Sequence, residues 1–323
     1  MNILLASQCN RRCSYCFAQE RISFDRGEPR KAPLFISDDD FRAAIAFARR
    51  SRLREVGILG GEPSLHPRFL DLLGLAWQDG LHTKIFSNGL WREQDIAEVE
   101  ERGAAAREDM HVVVNVNGPE RTPAREQRAQ EDLLRRIGPL CLLSYNISRL
   151  EFDPSFLVDL ILDYETQPSI RLGVAEPLAR QEAEHVPVAE YRRLAPTLLS
   201  LAEACDANDI QLGFDCGFVF CMFTPTELGR LAHAGVQFRS SCGPAVDVGT
   251  DLSTWSCFPL STFGQGRLLT EFDDMDSLTR HFREELEPLF RAGTLPECAG
   301  CRHRKRERCT GGCAAHVYRS LNP

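Results

Sequence analysis

Ile3-Leu4-Leu5-Ala6-Ser7-Gln8-Cys9-Asn10-Arg11-Arg12-Cys13-Ser14-Tyr15-Cys16 joins a short apolar run to three cysteines spaced by three and then two residues. The run reads as a strand, so the cysteines occupy the loop directly after it. Parallel α/β folds bind their ligands at that end of the sheet. Three thiolates this close can hold three corners of a 4Fe-4S cube, whose usual complement is four. The iron left open can chelate a small molecule through an amine and a carboxylate. On spacing alone, a zinc site lacking its fourth ligand or three unrelated cysteines are the alternatives.

Working outward, residues 56–59 form a second strand that ends in Gly60-Gly61-Glu62-Pro63 at the same sheet edge. Two glycines let the backbone approach a ligand closely, and a fixed carboxylate beside them can accept a hydrogen bond from an ammonium group. Further strands are read at 83–86, 111–116, 140–145 and 169–174, separated by helix-length segments such as 124–137 and 156–164. Ser37-Asp38-Asp39-Asp40 caps a helix with Phe41, Ala44, Ile45 and Ala48 at helical spacing. Six strand-helix units with continuous apolar strands predict an α/β fold, a partial (β/α)6 TIM-like barrel of parallel strands, too few for eight-fold closure. Residues 179–187 read as a connection, 188–208 as a helix and 210–214 as a further strand. Beyond 214 helical periodicity fades until residues 277–290, and eight of the 13 cysteines lie there. The expected domains are therefore 1–214 and a small cysteine-rich 215–323.

Composition narrows the class of function. A chain of 323 residues can bury two ordinary cores without disulfides, so 13 cysteines point to metals or chemistry in a reducing cytosol. The net charge of -8 disfavours nucleic acid as a general partner. No stretch reads as a secretory signal or a membrane span.

At the cysteine loop and the glycine turn the sequence resembles the radical S-adenosylmethionine (SAM) superfamily. Its C-x3-C-x2-C signature is matched by Cys9, Cys13 and Cys16, with the aromatic Tyr15 before the last cysteine, and its GGE motif by Gly60, Gly61 and Glu62. The resemblance implies a 4Fe-4S cluster chelated by SAM, reductive cleavage to a 5'-deoxyadenosyl radical and hydrogen abstraction from a substrate. It also places cofactor contacts at the ends of the third and fourth strands, where Ser87 and Asn115 are the candidates. Both are equally readable as turn formers. Asn115 and Asn117 depart from the family's Ser-x-Asp-Gly. Arg125 or Arg128 could reach the methionine carboxylate, but solvated helix arginines explain them better.

The tail resembles a SPASM domain. Cys242 and Cys257 with Gly249 between them match its cysteine pair, and Cys298, Cys301, Cys309 and Cys313 match its quartet, although the spacer after Cys301 is seven residues and no cysteine follows Cys313. By the family's ligation pattern, Cys242, Cys257 and Cys313 with Cys216 or Cys221 hold one auxiliary 4Fe-4S cluster. Cys298, Cys301 and Cys309 hold a second, whose fourth ligand is either the spare upstream cysteine or substrate at an open iron. One or two auxiliary clusters are expected; a zinc knuckle is the alternative. Cys141 and Cys205 read as buried hydrophobes.

Tyr145 and Glu176, near strand ends, are candidate catalytic residues. Phe258 stands where sulfatase-maturating relatives carry an aspartate base. His66 reads as a structural hydrogen bonder, and the basic stretch 302–308 as an offset to cluster charge. The expected function is maturation of a ribosomally made peptide or protein by cross-linking, oxidation or epimerisation. An external electron donor such as flavodoxin or ferredoxin would serve it, with a separate peptide-recognition protein, since only eight residues precede Cys9. An aminosugar-like dehydrogenase or epimerase, or a structural metal-binding protein, are the alternatives.

Overall fold

The computed structural model describes residues 1–23, 34–180, 182–243, 245–264 and 266–321. Seven parallel strands follow one another across the sheet: β1 (Asn2–Ala6), β2 (Glu55–Gly60), β3 (His82–Ser87), β4 (Met110–Asn115), β5 (Cys141–Ile147), β6 (Ser169–Val174) and β7 (Gln211–Phe214). The six strand-helix units read in the sequence are present, and the segment expected at 210–214 completes the row as β7. Their C-terminal ends lie together, so the loops that leave them gather at one mouth.

The chain after Phe214 covers both free edges of this row. β8 (Gln237–Phe238) adds in parallel to β7, while β9 (Val246–Val248) adds in parallel to β1 and carries antiparallel β10 (Ser253–Ser256) and β11 (Arg267–Leu268). The sheet thus runs unbroken across the division expected at residue 214. It remains open between β11 and β8, as a partial barrel.

The helix Asp38–Arg50 starts where the sequence places it: the Ser37 hydroxyl accepts from the Asp40 N–H at 3.1 Å, with acids in the first turn and arginines in the last. Phe41, Ala44, Ile45 and Ala48 bury the expected stripe. Where one helix was expected over 188–208, the chain forms a 3-10 turn (Val188–Leu194) and then a helix (Ala195–Asp206). Pro196 suits the first turn of the second piece and would break a single continuous one. Cys141 and Cys205 are buried among apolar side chains, as expected. No described helix is long and apolar enough to cross a membrane.

A small apolar cluster ties the two parts of the chain together. Leu4, Ala18 and Ile22 pack with Trp255 and Phe258, and Cys9 and Cys16 lie against them. Nearby, Asp247 of β9 is buried, accepting from Asn2 Nδ2 at 2.7 Å, and burial pushes its carboxyl up to about 7. An unfolded aspartate ionises near 4. Between those values the folded chain holds the extra proton, so this residue's contribution to stability falls as pH rises from about 4 to 7. Asp247→Asn keeps an acceptor for Asn2 and cannot ionise. Thermal unfolding at pH 5 and pH 8 should show the variant gaining on the parent at the higher pH, by an amount on the order of a few kcal/mol; a pH-independent difference would refute this.

Candidate active site

The cluster loop is held by contacts to its own backbone and sulfurs. Cys16 N–H donates to the Cys13 carbonyl at 3.1 Å, and Cys9 Sγ accepts from the Arg11 N–H at 3.4 Å and from Asn88 Nδ2 at 3.8 Å. Burial pushes the Cys9 and Cys16 thiols up to about 12 and Cys13 upward as well. Binding a metal here displaces those protons, so loading of the site depends on pH.

Gly60 and Gly61 are needed for approach to this loop. A Cβ on Gly60 would lie 2.3 Å from the Ala6 carbonyl oxygen, and one on Gly61 would lie 2.3 Å from the Gln8 carbonyl group. Without side chains, Gly61 N–H donates to Ala6 O and Glu62 N–H to Gln8 O, each at 2.9 Å. The glycines expected to face a ligand thus seat the cluster loop on β2.

Glu62 is fully buried and gathers four donors. Oε1 accepts from Ser64 Oγ and Ser87 Oγ at 2.8 Å and from the Ser64 N–H at 3.2 Å, while Oε2 accepts from the Asn88 N–H at 2.8 Å. Burial still pushes the carboxyl up, with these donors pulling it back. The Ser87 hydroxyl also accepts from the Gly89 N–H and from Trp91 Nε1. Its one proton and both lone pairs are used inside the protein, so its place is to position Glu62. The neighbouring Asn88, passed over in favour of Ser87, is the residue that reaches a cluster cysteine. Its position in an Asn-Gly turn was the available signal.

Asn115 ends β4 and its Oδ1 lies 3.5 Å from Asn146 Nδ2, while the Tyr15 hydroxyl donates to Asn117. Arg11, in the cluster loop, binds Glu126 through Nε at 2.6 Å and leaves Nη2 buried without a partner. Its charge acts on Cys13 and Tyr15. A second strap crosses the loop from residues 182–187: Glu184 donates its N–H to the Ser14 carbonyl at 2.9 Å, and its carboxylate accepts from Ser14 Oγ, Arg121 and Arg149. Although burial works against ionisation, these donors hold its carboxyl down at about 2. His66 is structural, with Nε2 donating to the Ile36 carbonyl at 3.1 Å.

The candidates Tyr145 and Glu176 separate. Ser144 and Asn146, which flank Tyr145 in β5, bond to Arg171 and Asn115. Alternation therefore turns the Tyr145 ring to the other face, where it meets Phe152 and Phe156 in the core. Glu176 is buried with its Oε2 2.9 Å from His316 Nε2, and the Tyr191 hydroxyl lies 3.0 Å from the same nitrogen. A Cβ on Gly217 would lie 2.7 Å from Glu176 Oε1, so glycine beside Cys216 makes room for the carboxylate.

Electrostatic proximity sorts the eight late cysteines into two candidate groups of four. Cys257 interacts electrostatically with Cys216 and Cys242, and Cys313 with Cys242 and Cys257. A hydrogen bond from Cys313 holds the Cys242 thiol below its usual value. Cys257 adopts φ 67°, a costly conformation for a residue with a Cβ and of a kind found at ligand sites. Cys221 interacts instead with Cys298, Cys301 and Cys309. Among the described residues no three cysteine sulfurs lie within 4.8 Å of one another. Arg304, within the basic stretch, donates to the Phe290 and Arg291 carbonyls at the end of the helix Met275–Ala292, which gives that charge a capping part.

Residues 3–157 match the family model of the Radical SAM superfamily. This segment is a radical SAM domain. Streptococcus suis SuiB bound to precursor peptide SuiA is similar in fold at TM-score 0.65 and 14% identity, over 98% of this chain and 72% of that one. SuiB bound to S-adenosylmethionine gives 0.64 and 14%, over 98% and 73%. Native anSMEcpe with bound AdoMet gives 0.67 and 13%, over 99% and 94%. No curated protein sequence matches the chain. A radical SAM domain implies a 4Fe-4S cluster and SAM as cofactors. The residues here fit them: the loop carries three half-buried thiols, and the unpartnered Arg11 nitrogen suits the negative charge carried by a thiolate-bound cluster and by the SAM carboxylate.

The grouping of cysteines is open to iron analysis. Reconstituted under anaerobic conditions, the parent chain should hold about 12 irons. Alanine at Cys221 or at Cys309 should each leave about 8, and the double variant no fewer, whereas pairing Cys221→Ala with Cys242→Ala should leave about 4. Further loss in the Cys221/Cys309 double variant would break the proposed grouping.

Proposed function

We propose that this radical SAM enzyme carries out an oxidative C–H modification of a peptide or protein substrate, with residues 215–323 acting as a SPASM-like domain that holds two auxiliary clusters. The observation that supports the reading is the electrostatic proximity of Cys257 and Cys313 to Cys216 and Cys242, and of Cys221 to Cys298, Cys301 and Cys309. Likeness of fold to SuiB bound to its precursor peptide supports a peptide as substrate. The clusters suit the cytoplasm and call for an external electron donor.

Cys9, Cys13 and Cys16 would hold the open cluster, with Glu62, Asn88 and Arg11 around it. When bound, that cluster and SAM supply the 5'-deoxyadenosyl radical that abstracts hydrogen. The chain's own part is to orient substrate at the shared mouth of β1 to β7 and to exclude water. Glu176, aimed at His316 and lying within electrostatic reach of Cys216, Cys242, Cys257 and Cys313, is the proposed acceptor of the substrate proton, and the electron left on the substrate would leave through the cluster those cysteines would hold. It stands in for the aspartate that is missing after Cys257.

Two measurements test this. Supplied with reductant, SAM and candidate precursor peptides, the reconstituted enzyme should yield a peptide lighter by two hydrogens or internally cross-linked by mass spectrometry; oxidation of an aminosugar alcohol in place of every peptide would move the assignment to the small-molecule class. Glu176→Gln should keep its iron and its release of 5'-deoxyadenosine while product formation falls by roughly 100-fold or more. Equal loss of both would remove Glu176 as the proton acceptor.

A further inference from the structure

The N-terminal ends of β2, β3 and β4 lie at the opposite end of the barrel from the loop of Cys9, Cys13 and Cys16. Glu55 opens β2, His82 opens β3, and His111 is in β4. Glu55 pairs with His82 in the ladder, and Lys84 pairs with His111. Side chains at 82 and 84 share one face of β3, so Glu55, His82, Lys84 and His111 all project to the same side of the sheet.

One ligand atom from each of Glu55, His82 and His111 lies within 4.8 Å of the other two. His82 Nε2 and His111 Nδ1 are 2.8 Å apart. His82 Nδ1 lies 3.1 Å from the Glu108 carbonyl oxygen, which can only accept. The proton of a neutral His82 therefore sits on Nδ1, leaving the Nε2 lone pair directed at His111. A metal-bound imidazole is held in this way, its second nitrogen donating to a carbonyl that fixes tautomer and ring orientation. Glu55 is exposed, so its carboxylate is free to turn toward the two rings.

We propose that Glu55, His82 and His111 bind one divalent transition-metal ion of the zinc type, with water completing the tetrahedron. Two imidazoles and a carboxylate suit zinc, nickel or copper, unlike the all-thiolate sets at the other end of the barrel. Metal–nitrogen bonds of about 2.0–2.1 Å place two tetrahedral nitrogens about 3.3 Å apart, so the imidazoles need to part by only about half an ångström. Lys84 acts electrostatically on His111 and opposes a cation there, which sets the affinity below that of an unopposed site. The competing arrangement is a plain hydrogen bond between two neutral imidazoles.

Cobalt(II) titration of the cluster-loaded protein separates the two. One equivalent should bind with tetrahedral d–d bands and no sulfur-to-cobalt charge transfer, and zinc should displace it. His82→Ala and His111→Ala should each weaken binding roughly 100-fold, and Lys84→Gln should tighten it, with iron content unchanged in all three. Glu55 is exposed, so Glu55→Gln keeps the fold and tests the site even if a histidine variant does not fold. Unchanged cobalt affinity in Glu55→Gln, no binding by the parent protein, or bands showing thiolate ligation would each overturn the assignment.

Discussion

The buried carboxylate of Glu62 is the constraint on which the mouth of the barrel depends. A charge-bearing group with no exposure is tolerable only when its lone pairs are met, and here Ser64, Ser87 and the backbone of Asn88 meet them. Those donors come from the ends of β2 and β3. The Glu62 N–H reaches back to Gln8 in the cluster loop. One residue thus fixes three consecutive strand ends relative to the cysteines, and it can do so only because Gly60 and Gly61 let the two backbones touch.

That tie explains which parts of the site were legible in the sequence. The strands, the first helix cap and the cluster loop follow from periodicity and local spacing, and each is where the pattern puts it. Roles that depend on which way a side chain turns were not. Ser87 and Asn88 are adjacent, yet the first is saturated by Glu62, Gly89 and Trp91 while the second reaches Cys9. Tyr145 and Glu176 both lie near strand ends, but alternation sends one ring into the core while the other residue passes beyond its strand into the loop layer. A one-residue offset decides such cases, and composition carries no information about it.

The cysteines show the same division. Cys9, Cys13 and Cys16 are close in sequence and therefore close in space. Cys216 and Cys221 are also close in sequence, yet they serve different groups, because Cys216 leaves β7 beside Glu176 while Cys221 sits in a 3-10 turn. Linear spacing left the partner of Cys298, Cys301 and Cys309 undecided, and the choice between Cys216 and Cys221 rests on the path of the chain around β7. The seven-residue spacer after Cys301 has a local use as well: it contains the short helix Arg302–Lys305, from which Arg304 reaches the carbonyls closing the helix Met275–Ala292.

A parallel barrel keeps its two ends chemically separate, since every strand enters at one and leaves at the other. In this chain the exits of β1 and β7 carry Cys9, Cys13, Cys16 and Cys216, and the entrances to β2, β3 and β4 collect imidazole and carboxylate. Ligand softness then sorts metals between them without any barrier in the fold: iron-sulfur clusters need the sulfur-rich end, and a borderline ion can be held by nitrogen and oxygen at the other. Asp247 and Asn2 bond to each other in the adjoining strands β9 and β1, at the start of β1. The apolar cluster of Leu4, Trp255 and Phe258 lies against Cys9 and Cys16. Loading the cluster loop therefore bears on the C-terminal strands through packing, while His82 and His111 bond to each other and to the Glu108 carbonyl.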